Sequence, residues 1–213
     1  MQCRSRLRQS ESGFVILESI VTSVDSQTRV NIAPMGPRVI GDWSGDSNEE
    51  MAFVLRPFNS SRTYRNLIET RKAVVHVTDD AELFARAAVD AIESDAVEKL
   101  VQQIDGTLWW RLRDCHRWFA IEVESISDTQ PRVDLQCRVV RTGIVRPFFG
   151  FNRAKHAVIE AAILATRTHV LPPEEIRDEV DRLSPLIDKT GGTAEHTAFE
   201  FLRKTIDDRL ASR

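Results

Sequence analysis

Two segments concentrate side chains and backbone groups whose types could do chemistry. The first, LRPFNSSRTYRNLIETRK over residues 55–72, sets Arg56, Arg62, Arg65, Arg71 and Lys72 against a single acid, Glu69. Ser60, Ser61 and Thr63 stand in its middle, just ahead of a helical pattern in which Tyr64, Leu67 and Ile68 fall at i, i+3 and i+4. A hydroxyl from this group should cap the helix, with Thr63 read as a capping side chain. Free backbone N–H groups and the helix dipole then favour an anion at that point, and a phosphate suits it. The second segment, NIAPMGPR from Asn31 to Arg38, is a strand running into Pro34 and Gly36. A strand end of this kind leaves backbone N–H and C=O groups without ladder partners, and a flat heterocycle can pair with them.

Familiar catalytic signatures are absent. There is no GxSxG elbow, no GxxxxGK[ST] phosphate loop, no GxGxxG and no HExxH. The five histidines are dispersed, and adjacent Cys115 and His116 have side chains that point apart, so no metal site is expected. Cys3, Cys115 and Cys137 are odd in number and lack CxxC spacing, the pattern of free thiols in a reducing cytoplasm.

The elements that must position these residues are legible from period and punctuation. Phe14–Val24 and the stretch resuming at Val30 read as a hairpin about the turn at residues 25–27, followed by a loop over 35–50 with a short strand at Val39 and Ile40. Met51–Phe58 and Lys72–Val77 read as strands, the latter central. Asp79 and Glu82 stand at capping-box spacing before a helix bearing Phe84, Ala88 and Ile92, and residues 93–106 continue as surface helix and loop. From Trp118 the period becomes two: Phe119, Ile121 and Val123, then Val133, Leu135, Cys137 and Val139 after a turn at 128–131, form the clearest hairpin. Beyond Pro147 come three helices, opened at Asn152, at Pro172 with Pro173, and at Thr193. Residues 1–13 are expected to be a flexible extension, 14–148 a β-rich body and 149–213 a helical unit.

At 213 residues the chain can bury about 70% of its unfolded surface, so it needs no disulfide or metal to fold. Its 29 basic and 32 acidic residues nearly balance, which argues against bulk binding of nucleic acid or an acidic membrane. No apolar run approaches the roughly 18 residues of a membrane span, and no secretory signal is expected.

A hairpin closing with NIAPMG, the loop SRTYRNL and the strand KAVVHVTDD together resemble the FMN-binding split barrel of the flavin reductases and pyridoxamine-phosphate-oxidase-like proteins. With RPFFGFNRAKHAVIEAAILATR over 146–167, the chain more closely resembles a narrower, uncharacterised family of that superfamily, found in archaea and planctomycetes, with a helical C-terminal extension. The resemblance implies an α+β fold: an antiparallel split β-barrel, six-stranded or similar, with peripheral helices and a C-terminal three-helix extension.

It also implies how FMN lies. Asn31, Ile32, Ala33 and Pro34 would run along the isoalloxazine. Ser60, Ser61, Arg62 and Thr63 would hold the phosphate with Arg65 and Asn66 behind them, and Arg56, Asn152 and Arg153 would be further candidates. The implied activity is that of a flavin-dependent oxidoreductase taking a nicotinamide, pterin or deazaflavin-type partner. The alternatives are a carrier or sensor that holds flavin or another phosphorylated heterocycle without turnover, and a structural dimer with a decayed site. By the same resemblance the protein is a homodimer. Trp109, Trp110 and Phe148–Phe151 are apolar residues beside expected loops and are candidates either for the contact or for plain core packing, and Arg146 and Arg153, which flank the FFGF stretch, are candidates to reach a cofactor across the interface.

Overall fold

Alternating segments become strands because each turns one row of side chains inward and the other outward. The computed structural model describes residues 14–41, 51–129 and 132–213. The expected extension over 1–13 lies outside the described residues, as do 42–50 of the long loop and 130–131 of the 128–131 turn. In chain order the strands are β1 (Val15–Ile16), β2 (Ser19–Val24), β3 (Val30–Met35), β4 (Arg38–Ile40), β5 (Ala52–Leu55) and β6 (Lys72–Val77). Then come β7 (Val101–Gln103), β8 (Trp110–Leu112), β9 (Arg117–Thr129) and β10 (Arg132–Ile144). The helices are α1 (Arg62–Thr70), α2 (Ala81–Ala88), α3 (Ser94–Leu100), α4 (Arg153–Thr166), α5 (Pro173–Thr190) and α6 (Thr193–Ala211).

Eight strands form one antiparallel sheet in the order β1-β4-β5-β10-β9-β6-β2-β3. Its two ends are halves of a single bent hairpin, since β1 runs into β2 and β3 into β4. The sheet therefore curls on itself as a split barrel. At the bend the Leu17 N–H donates to the Pro37 carbonyl at 3.0 Å. A Cβ on Gly36 would come within 2.6 Å of Ile16 Cγ2, so only glycine lets the two halves approach. The strand number exceeds the expected six because this bend divides each arm of the hairpin into two strands.

The β9–β10 hairpin has the expected phase. Phe119, Ile121, Val123, Val133, Leu135 and Cys137 join Val21, Phe53, Leu55 and Val75 in the barrel interior, where Phe53 and Phe119 meet edge to face at 5.4 Å. Register shifts between Gln136 and Cys137 and between Val139 and Arg141 add the local bend that a curled sheet needs. Leu67 of α1 is fully buried in this same core, with Tyr64 packed against it, so α1 closes the barrel mouth.

Outside the barrel, Ile20, Ile32, Val74, Trp118 and Ala120 face α2 and the β7–β8 hairpin. That hairpin corrects the expected loop: β7 follows α3 directly and pairs with β8, which covers the outer face of β2 and β6. A further correction concerns α2, whose N-cap is Asp80, accepting from the Leu83 N–H at 2.9 Å. Asp79 is turned instead toward the C-terminal helices. Those helices form a third core with Ala81 and Ala85 of α2, built from Ala154, Ala157, Val158 and Ala161 of α4, Ile176 and Ile187 of α5, and Phe199, Leu202 and Ile206 of α6.

Candidate functional site

The β3 strand and the basic, hydroxyl-rich loop meet, but at the strand's start; its Pro34–Met35 end, expected to be without ladder partners, pairs with Ile20 and Ser19 of β2. Asn31 of β3 donates from Nδ2 to Thr63 Oγ1 of α1 at 3.0 Å, and Asn66 one turn on donates to Ser23 Oγ of β2 at 3.0 Å. All four side chains are buried, and Thr70 adds a bond to the Val24 carbonyl at 3.3 Å. Together they staple α1 across the ends of β2 and β3. The N-cap is Ser61, whose hydroxyl accepts from the Tyr64 N–H at 3.1 Å, so the reading of Thr63 as a cap is corrected. Thr63 is already inside the first turn, and its hydroxyl is the acceptor for Asn31.

In front of this buried layer stands an exposed one. Ser60, Arg62 and Arg65 face outward, and Arg65 Nη1 donates to the Ser60 carbonyl at 2.9 Å. First-turn amides have no intrahelical acceptor, so α1 begins with N–H donors, hydroxyls and two guanidiniums on one side. Such a set suits a phosphate ester. Beside it runs β3, an edge strand whose outer backbone row faces no ladder partner among the described residues. Ile32, Ala33 and Pro34 lie along it, and proline is tolerated there because an edge strand need not donate on both sides.

The remaining candidates lie elsewhere in the chain. Arg56 is held by Asp134 at 2.6 Å. Asn152 caps α4, accepting from the Ala154 and Lys155 amides, and donates to the Thr190 carbonyl at 3.0 Å. Arg153 is exposed beside it. This place is near the Val77 end of β6, whereas Asn31 and Thr63 lie by its Ala73 end, roughly 13 Å of strand away. One chain does not bring Asn152 and Arg153 to the β3–α1 cluster.

At the Val77 end is a charge cluster that the sequence did not disclose. Asp79 receives Arg146, His116 Nε2 at 3.1 Å and Lys155 at 3.2 Å, while Lys155 also reaches Glu195 at 3.1 Å. Burial raises the Asp79 carboxyl, but the hydrogen bonds from Arg146 and Lys155 outweigh it and hold the group down at about 2. The cluster ties the barrel to α4 and α6. Capping-box spacing disguised it, because Asp79 and Asp80 compete for one role on sequence alone. Next to it the aromatic candidates divide: Phe148, Phe149 and Phe151 are exposed, Phe149 to 87% and Phe151 to 89%. Trp109 and Trp110 instead pack against the outer core, Trp109 donating to the Ile121 carbonyl at 3.0 Å.

Comparison with known proteins matches the barrel and the helices to two halves of one family. The model described as protein of unknown function (DUF447) N-terminal domain covers residues 17–146, and the one described as protein of unknown function (DUF447) covers 152–204. The chain belongs to the DUF447 family. FMN-bound protein MM1853 from Methanosarcina mazei, of the same family, is 21% identical and superposes with a TM-score of 0.75. The match takes in 91% of this chain and 96% of that one. A protein from Shewanella frigidimarina NCIMB 400, assigned as a flavin reductase with split barrel domain, is 12% identical with a TM-score of 0.50, over 63% of this DUF447 chain and 69% of that one. These likenesses establish the fold, an α+β split barrel with a helical C-terminal extension.

Proposed function

We propose that the chain binds FMN at the β3–α1 junction and acts as a flavin-dependent oxidoreductase. The observation that carries this reading is the buried Asn31–Thr63 hydrogen bond, which locks an edge strand's outer backbone row beside a helix start rich in anion donors. The donor set fits the group: amides, hydroxyls and guanidiniums for the phosphate, and backbone N–H and C=O groups for the flat ring. FMN-bound MM1853, with the same fold and family, supports the assignment. When bound, FMN supplies the redox chemistry at its N5, so the protein need not provide an acid–base constellation. Its own residues bind: Ser60, Ser61, Arg62 and Arg65 hold the phosphate together with the first-turn amide of Thr63, whose buried hydroxyl fixes Asn31 instead, and Asn31–Pro34 orient the ring along β3.

The proposal includes a homodimer. The β3–α1 site is an open edge, and burying most of a flat cofactor requires a second wall, which a two-fold partner supplies. Exposed Phe148, Phe149 and Phe151 form the contact, from which Arg153 reaches the partner's cofactor.

Fluorescence titration tests the site. FMN should bind at least about tenfold more tightly than riboflavin, because charge-assisted bonds to phosphate contribute roughly 1.5–3 kcal/mol each. Equal affinities, or no binding, would remove the reading. Anaerobic mixing of the flavin-loaded protein with NADH and NADPH should bleach the flavin absorbance. Stable colour with both marks a carrier or sensor.

A further inference from the structure

A groove of about 480 Å³ lies between the β7–β8 hairpin and the paired ends of β9 and β10, away from the β3–α1 junction. Its size is that of a small-molecule site. Trp118 forms the floor, with Gly143 so close that a Cβ there would come within 2.7 Å of the indole. Ile144 and Val145 form an apolar rim. Strand alternation then sets the wall: Leu112 turns into the core, while Arg111 and its cross-strand partner Gln102 turn into the groove.

The charges are unbalanced. Arg111 is half-buried, donates to the Leu112 carbonyl at 2.8 Å, and forms no ion pair among the described residues. Arg141 pairs with Asp105, but both are well exposed, and such a surface pair is worth about 0–1 kcal/mol, so an incoming anion can replace it. The smaller cleft between α5 and α6, 220 Å³, differs in this respect: Arg177 and Arg203 are matched there by Asp181 and Asp207.

We propose that this groove is a second ligand site, taking an anion joined to a flat ring, with the anion on Arg111 and Arg141 and the ring over the bare Gly143 backbone that covers Trp118, against Ile144 and Val145. A nucleotide phosphate and an aromatic carboxylate share that chemistry. The inference does not rest on flavin binding.

Calorimetric titration of AMP, benzoate and adenosine into the full-length protein, with and without FMN, tests it. AMP or benzoate should bind with Kd below about 1 mM, and whichever binds more tightly identifies the anion. If the site prefers AMP, adenosine, which lacks the anion, should bind at least about tenfold more weakly. Arg111→Gln should weaken binding about tenfold or more, and Arg141→Ala, at an exposed position, gives the same test if the first variant misfolds. Thr63→Ala should leave it unchanged. Failure of both anions to bind, or binding indifferent to both arginine variants, overturns the proposal. Binding lost in Thr63→Ala and competed by FMN also overturns it, because the probe would then occupy the β3–α1 site.

Discussion

His76 is the residue whose surroundings most sharply set its protonation. Its Nδ1 donates to the Ile20 carbonyl at 2.9 Å and its Nε2 accepts from the Leu112 N–H at 2.9 Å, so both nitrogens are satisfied only in the neutral ring. Full burial, with the Arg111 charge adding to it, lowers the group to about 4. The unfolded chain therefore takes up the proton first as pH falls through about 6.5, and stability drops between there and about 4 by roughly 3 kcal/mol. Urea unfolding at a series of pH values should show this slope, and His76→Gln should flatten it. Thr63 bears on the site more directly. Thr63→Ala leaves the buried Asn31 amide without its acceptor, costing about 1–3 kcal/mol of stability, and should weaken FMN binding about tenfold. Unchanged flavin affinity in the folded fraction would make Thr63 purely structural. Burial pushes the Cys115 thiol up to about 11 and the Cys137 thiol up to about 12, so neither is a nucleophile at neutral pH.

Between elements, the Asp79 cluster couples the barrel to α4 and α6. Removing its charge leaves Arg146 and Lys155 facing each other without the shared carboxylate. Asp79→Asn should destabilise by about 2–3 kcal/mol, read as a lower Tm. In the wild type this contribution is fully present above about pH 3.8 and is lost as pH falls through about 2, below the His76 window, so the two effects separate on a pH series. If Asp79→Asn melts like the wild type at pH 7, the helices are held by their alanine-rich core alone.

For the whole molecule, a run of exposed phenylalanines is costly to leave in water. Light scattering should report a particle of twice the 24.2 kDa chain mass. Phe149→Glu combined with Phe151→Glu should yield a monomer with its α-helical and β-sheet signals intact, since both side chains are exposed. A wild-type monomer at full flavin occupancy would show that one chain completes the site. No helix among the described residues is long and apolar enough to cross a membrane.

Local pattern by itself determined the β9–β10 hairpin, the central β6, the hydroxyl-capped α1 and the three C-terminal helices, because period and capping act within a few residues along the chain. The pairing of NIAPMG with SRTYRNL came from family likeness; that Asn31 and Thr63 bond across 32 positions was decided only by the curled sheet. Tertiary packing likewise chose between Asp79 and Asp80, turned residues 101–112 into a hairpin over β2 and β6, and left Phe149 and Phe151 exposed while burying Trp118. Each of these depends on which distant surface a residue meets, and chain-local spacing carries no record of that.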